Sequence, residues 1–231
     1  MPEQNSKQTE ELRHERKFLI TGYSAHEIEQ ILKFHSACFS PIYHKRQVNN
    51  IYFDTMGFSS FYGNVEGDQY REKARIRWYG EMFGKITNPV LEFKIKQGLL
   101  GNKLTCSLNS FTLDKAFSKE VIESSLNKNV SKDIQNLLLS MNPTLLNSYI
   151  RTYFISADKN FRITIDRDLC YYKIAYHSNT FLNKVKDHQS VILELKYSPQ
   201  FEQLAKKIGQ ELPFMMTKNS KYLQGIEKIL L

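Results

Sequence analysis

The chain has 231 residues, 41% of them hydrophobic and 13% aromatic, and carries a formal net charge of +8. That length can bury the core of one large domain or two small ones, and the basic balance favours anionic partners: nucleic acid, phosphate compounds or acidic membrane. Three cysteines (Cys38, Cys106 and Cys170), far apart and without CxxC spacing, argue against a disulfide framework or a zinc site and fit a reducing compartment. No apolar run approaches the roughly 18 residues of a membrane-spanning helix, and the polar start rules against a signal peptide, so a cytoplasmic location is expected.

Residues 1–12 read as a flexible polar tail, and residues 13–231 as a single domain without linker or repeat. Arg13–Ile20 (RHERKFLI) alternates as a strand, with Arg13, Glu15 and Lys17 opposite Phe18 and Ile20. Ser24 with Glu27 forms a capping box for a helix whose Ile28, Ile31, Leu32 and His35 share one stripe, where His35 reads as a packed core residue. Val48–Asp54 is a second predicted strand, after which Asp54 and Thr55 cap a short helical turn through Phe61 and Tyr62. Tyr70–Tyr79 (YREKARIRWY) is the most telling stretch. Arg71, Lys73, Arg75, Arg77 and Tyr79 fall on one face, and Ala74, Ile76 and Trp78 on the other. Like charges in a row repel, so on this stretch alone the face is either the solvated outer side of an antiparallel sheet or the seat of an anion.

After a loop at residues 80–88, Val90–Gln97 sets Glu92, Lys94 and Lys96 against Leu91, Phe93 and Ile95. A turn at Gly98–Gly101 leads to Lys103–Leu108, which sets Lys103, Thr105 and Ser107 against Leu104, Cys106 and Leu108. Two helices follow, with Asp114 and Ser131 as candidate N-caps. Leu145–Ile155 then carries Tyr149, Arg151 and Tyr153 on one face. Phe161–Leu169 sets Arg162, Thr164, Asp166 and Asp168 against Phe161, Ile163, Ile165 and Leu169. Val191–Tyr197 sets Glu194 and Lys196 against Leu193 and Leu195. Ser198-Pro199 opens a helix, and Ser220–Leu231 forms the last one, burying Leu223, Ile226 and Leu230.

The same parity therefore recurs in about eight strands: cations on one face, apolar side chains on the other. If the sheet closes, the cations converge on a common interior and the apolar faces turn outward beneath helices. The expected fold is α+β: a closed antiparallel β-barrel tunnel with a polar cationic lumen and flanking helices. Confined cations are costly without a polyanion or water among them. The minority acids Glu15, Glu92, Asp166 and Glu194 either pair with those cations or hold a hard divalent cation that bridges phosphate oxygens. Nucleotide-loop, zinc-protease and Ser/His/Asp patterns are missing. Nucleic acid is not the expected ligand, because most aromatics fall on the apolar faces.

The ordered series HERKFLI, YFDT, KARIRWY, LEFKIK, Arg151 with FRITID, ILELKY and SKYLQG resembles the VTC-type polyphosphate polymerase domain, a branch of the triphosphate tunnel metalloenzymes. The resemblance runs from about Arg13 to about Glu227. It implies transfer of the ATP γ-phosphate to a growing polyphosphate chain, with release of ADP and with Mn²⁺ or Mg²⁺ as cofactor. By motif position it implies phosphate contacts and catalysis by Lys17, Arg75, Arg77, Lys94, Arg151, Arg162, Lys196 and Lys221. Substrate binding falls to Lys103, Lys218 and Ser220, and metal binding to Glu194. Implied partners are ATP and inorganic polyphosphate, with a membrane partner conceivable only through another chain. The hydrolytic branch opens with ExExK; here Arg13-His14-Glu15-Arg16-Lys17 lacks the first acid, which favours the polymerase branch. The alternatives are a tunnel triphosphatase or a non-catalytic polyphosphate-binding domain. A hollow open at both ends would let a growing product leave.

Overall fold

A computed structural model describes residues 13–97, 100–128, 130–175 and 179–230. The tail 1–12, part of the turn at Gly98, the Lys96 side chain and Leu231 lie outside the described residues. The strands, in chain order, are β1 (His14–Ile20), β2 (Ser40–Asp54), β3 (Tyr70–Tyr79), β4 (Gly84–Ile86), β5 (Val90–Gln97), β6 (Leu100–Ser107), β7 (Phe111–Leu113), β8 (Asn142–Ile155), β9 (Phe161–Lys173), β10 (Lys184–Asp187) and β11 (Val191–Tyr197). The helices are α1 (Ala25–Lys33), α2 (Ser59–Glu66), α3 (Lys119–Ser125), α4 (Lys132–Leu139), α5 (Glu202–Glu211) and α6 (Lys221–Leu230).

One antiparallel sheet runs in the order β1-β11-β9-β8-β2-β3-β5-β6, with β10 added to β9, and β4 and β7 form a separate ribbon. The fold is α+β, as expected, and the sheet curls. Lys17 on β1 and Lys73 on β3, far apart in sheet order, both reach the segment ahead of α6: Lys17 Nζ lies 3.3 Å from Asn219 O and Lys73 Nζ 3.3 Å from Ser220 Oγ. The barrel is not closed, however: no pairing joins β1 to β6 among the described residues. The free edge of β1 is used otherwise. Thr217 N–H donates to Lys17 O at 2.8 Å and Leu19 N–H donates to Thr217 Oγ1 at 2.9 Å. The chain before α6 thus satisfies edge groups that a closing strand would have needed.

The apolar faces are turned outward and covered, as alternation predicted. Ile51, Phe53, Ala74, Ile76, Trp78, Leu91 and Phe93 form one cluster with Ile86 and Phe111 of the ribbon, Ile122 of α3 and Leu138 of α4. Phe18, Ile20, Ile163, Ile165, Leu193 and Leu195 form another with Ile28 and Leu32 of α1 and Ala205 and Ile208 of α5. The Ser24–Glu27 capping box forms on α1, and Ser131 caps α4. Asp114 caps no helix: it accepts from Ala116 N–H at 2.8 Å in a turn ahead of α3.

Two further parts of the sequence reading need correction. Parity breaks in β9, where pairing with β8 shifts between Ser148 and Ile150 and Asp168 adopts φ 54. Leu169 and Tyr171 therefore face inward, while Asp168 leaves the charged face and pairs with Arg167 and His188. Second, one end of the hollow is filled. Tyr222 and Ile226 of α6 are buried among Val48, Tyr52, Leu145, Tyr149, Leu169, Tyr171 and Ile192 on the inner face. Among the described residues α6 therefore occupies one end, where the sequence led us to expect an opening.

Candidate active site

Alternation sends Glu15 and Lys17 of β1, Asn50 of β2, Lys73, Arg75 and Arg77 of β3, Glu92 and Lys94 of β5, Lys103 of β6, Arg151 of β8, Asp166 of β9 and Glu194 and Lys196 of β11 into the hollow. The start of α6 adds Lys221. These groups form two carboxylate-centred knots and one patch without an acid.

The first knot is buried. Arg151 grips Asp166 through Nε at 2.5 Å and a terminal nitrogen at 2.6 Å, and the same nitrogen lies 3.5 Å from Glu194. Lys221 Nζ lies 2.6 Å from Asp166 and 3.3 Å from Glu194. Lys196 and Lys17 approach Glu194 at 3.6 and 3.8 Å. Burial would raise the Glu194 carboxyl, but Lys221, Arg151, Lys17 and Lys196 outweigh it and hold it well below the usual range. Burial likewise opposes ionised Asp166, and Arg151 and Lys221 overcome it. Both Arg151 and Lys221 lie over the Tyr149 ring, at 5.3 and 4.9 Å.

The second knot centres on Glu92. Arg75 meets it at 2.6 Å, and Arg77 and Lys103 each at 3.8 Å. Burial pushes the Glu92 carboxyl up, but Arg75, Arg77 and Lys103 bring it down to about 2. Arg77 also donates through Nε to Asn50 Oδ1 at 2.9 Å. A guanidinium has five N–H donors, so a carboxylate on one edge leaves further donors for another acceptor.

The patch without an acid is the Lys73–Lys94 cross-strand pair. No carboxylate lies within ion-pair distance of Lys73 among the described residues. Burial lowers its amine to about 7, with Lys17, Arg71, Lys94 and Arg75 adding repulsion. Lys94 is lowered by burial too; Glu15 opposes the shift, and Lys17, Lys196 and Arg75 add to it.

The structure thus brings together Lys17, Arg75, Arg77, Lys94, Lys103, Arg151, Glu194, Lys196 and Lys221. Ser220 joins them through its contact with Lys73, and its carbonyl accepts the Gln224 N–H that opens α6. Arg162 pairs in register with Lys196 but is exposed at the rim. Lys218 is exposed as well. The sequence left Glu92 and Asp166 either to pair with the cations or to hold a divalent cation, and the structure pairs them with Arg75 and Arg151; Lys73 and Tyr149 lay on the charged and aromatic faces of their strands, with no individual role assigned to either. Asp54 was read as a cap and is one, accepting from Ser60 and Phe61 N–H at 2.9 and 3.0 Å; it also takes a 2.5 Å bond from Tyr222 OH and so anchors α6.

Among the described residues no three His, Cys, Asp or Glu side chains cluster as a metal site. Glu194 is ringed by cations, so a bare divalent ion meets a field of its own sign. An ion carried by an anionic substrate would meet a different balance: Glu194 would give it a hard oxygen ligand, and Glu15 lies beside Glu194 across Lys17 and Lys196. The residues fit a metal only together with an anionic substrate.

The VTC domain family model matches residues 12–230. No curated protein matches the sequence. Among solved structures, a Pyrococcus horikoshii OT3 protein aligns with TM-score 0.53 and 13% identity over 94% of this chain and 99% of its own. A protein described as a candidate adenylate cyclase from Vibrio parahaemolyticus aligns with TM-score 0.50 and 11% identity, covering 95% of this chain and 98% of its own. One from Bacillus halodurans, described in the same way, aligns with TM-score 0.50 and 16% identity, covering 96% and 98%. These likenesses concern the fold. The family match spans every described residue and coincides with the curled sheet and its inward cations: this chain belongs to the VTC domain family.

Proposed function

We propose that the domain is a polyphosphate polymerase, which transfers the γ-phosphate of ATP to the end of an inorganic polyphosphate chain and releases ADP. The observation that carries this reading is the convergence of Arg75, Arg77, Arg151, Lys196 and Lys221 on one enclosed space, each held by a carboxylate. Phosphoryl transfer asks a protein for placement and charge neutralisation rather than covalent chemistry. Glu92 and Asp166 fix the guanidiniums in advance, so their outward N–H edges need little reorganisation when phosphate arrives.

Arg75, Arg77 and Arg151 cradle the triphosphate, and Lys17, Lys94, Lys196 and Lys221 neutralise the phosphates on either side of the breaking bond. Lys103, Lys218, Ser220 and Arg162 bind the chain at the margins. Glu194, with Glu15 beside it, would hold Mn²⁺ or Mg²⁺ on the substrate, and such an ion would offset phosphate charge as a Lewis acid. A terminal oxygen of the acceptor chain bonds to the γ-phosphorus while the bond from that phosphorus to the ADP oxygen breaks, and ADP leaves with the electron pair. The acceptor oxygen is already ionised, so no protein base is required.

The test is to incubate the pure chain with ATP and Mn²⁺ and resolve the products. Long metachromatic polymer with equivalent ADP is expected. Orthophosphate alone would sink the polymerase reading in favour of a triphosphatase. One observation favours that second reading: α6 fills one end of the hollow, and a dead-ended pocket suits a short triphosphate that needs no exit.

A further inference from the structure

The phosphate-gripping residues do not account for the cluster at the open mouth. Arg46 follows the inward parity of β2 with Val48 and Asn50, and its register partner is Arg151. Its guanidinium carbon lies 5.2 Å from the Tyr43 ring centroid, 5.6 Å from Tyr79 and 5.5 Å from Tyr153. Tyr153 stands two residues beyond Arg151 and Tyr79 two beyond Arg77, so both are on the inner face at the same rim. Tyr43 and Tyr153 pack edge-on at 5.5 Å. Arg46 forms no ion pair among the described residues. Its charge faces only rings, whereas Arg75, Arg77 and Arg151 each face a carboxylate.

The rings are partly covered by Arg46 but not hidden: Tyr43 is 50% and Tyr79 52% exposed. Two half-open tyrosine faces steadied by an unneutralised guanidinium, next to the triphosphate cradle, make a stacking platform. A polyphosphate chain gains nothing from a ring face. A planar heterocycle does, and a triphosphate seated on Arg77 and Arg151 projects its nucleoside toward this rim.

Resting on the polymerase reading, we infer that the Tyr43–Arg46–Tyr79–Tyr153 rim is the subsite for the base of the nucleoside triphosphate donor. It makes the domain prefer a nucleotide to a bare triphosphate at its open mouth, and it leaves acceptor chains, which have no base, to be held by charge alone.

The experiment compares calorimetric binding of the β,γ-imido analogue of ATP with that of inorganic imidotriphosphate, its counterpart without a base. Wild type is expected to hold the nucleotide about tenfold more tightly, the order of one stacked base. Tyr79→Leu and Tyr43→Leu together should bring that ratio close to one, with imidotriphosphate affinity changed by less than about twofold, which also reports that the fold and cradle survive. A wild type without preference, or variants that keep the full preference, overturns the subsite. A wild type that binds neither ligand overturns both readings. Base-dependent binding with no polymer formed sinks the polymerase reading and leaves the rim standing.

Discussion

Glu92 and Asp166 show what an acid does among clustered cations. Each subtracts charge, yet each fixes an arginine that still has further donors to offer. Arg75→Ala removes one such grip and releases Glu92. Titration with tripolyphosphate should show affinity falling by about tenfold or more, the scale of a hydrogen bond to a charged group. Glu194→Ala should abolish metal-dependent turnover while cooperative thermal unfolding persists, because Asp166 still neutralises Arg151 and Lys221. Full activity in that variant would refute its role as metal ligand. Lys73 supplies a pH dependence. Its amine sits at about 7, lowered by burial and then by its cationic neighbours. A bound polyanion raises it, so binding takes up protons and affinity falls as pH climbs above 7. Calorimetry in buffers of different ionisation enthalpy should register about half a proton taken up at pH 7, and distinctly less in Lys73→Met.

Among the elements, α6 carries the most. It brings Lys221 to the buried acids, places Ser220 by Lys73 and packs the inner face. Gly225 makes the close approach possible: a Cβ there would lie 2.6 Å from Tyr171 Cδ1 and closer still to Leu145 Cδ2. Gly225→Ala should cost about 1–3 kcal/mol in urea unfolding, the range of an overpacked core, and weaken tripolyphosphate binding as Lys221 is displaced. An unchanged midpoint would show that α6 has room to move. On the outer face, Ile76 is fully buried within the ribbon-covered cluster. Ile76→Asp places an unpaired carboxylate there, and loss of soluble folded protein, read by circular dichroism, is the expected outcome.

In the whole molecule the usual arrangement is inverted: helices cover the outside of a curled sheet whose inside is charged. The hollow concentrates like charge, so a polyanion should stabilise the fold. The thermal midpoint should rise with tripolyphosphate, and the gain should shrink as NaCl is added, because exposed lysines at the rim are screened first. A shift indifferent to salt would mean that the buried knots alone hold the ligand.

Much of this was legible in the chain. Strand alternation is local, with period two, so YREKARIRWY declares its charged and apolar faces without knowledge of its neighbours, and Ser24 with Glu27 declares a helix start. The motif series identified the family, and nearly every residue it named faces the hollow. Other features depend on partners far away in sequence. The ribbon of β4 and β7 joins two short segments more than twenty residues apart, neither periodic enough to announce itself. The bulge at Asp168 turned Leu169 inward because β8 sets its register. The carboxylate each cation would take, the sealing of the β1 edge by Thr217 in place of barrel closure, the filling of one end by α6 and the gathering of three tyrosines around Arg46 were decided by tertiary structure. Side-chain direction along a strand follows from backbone geometry alone, whereas the partner a side chain meets depends on how distant strands are paired and how far the sheet bends before its edge groups find another donor or acceptor.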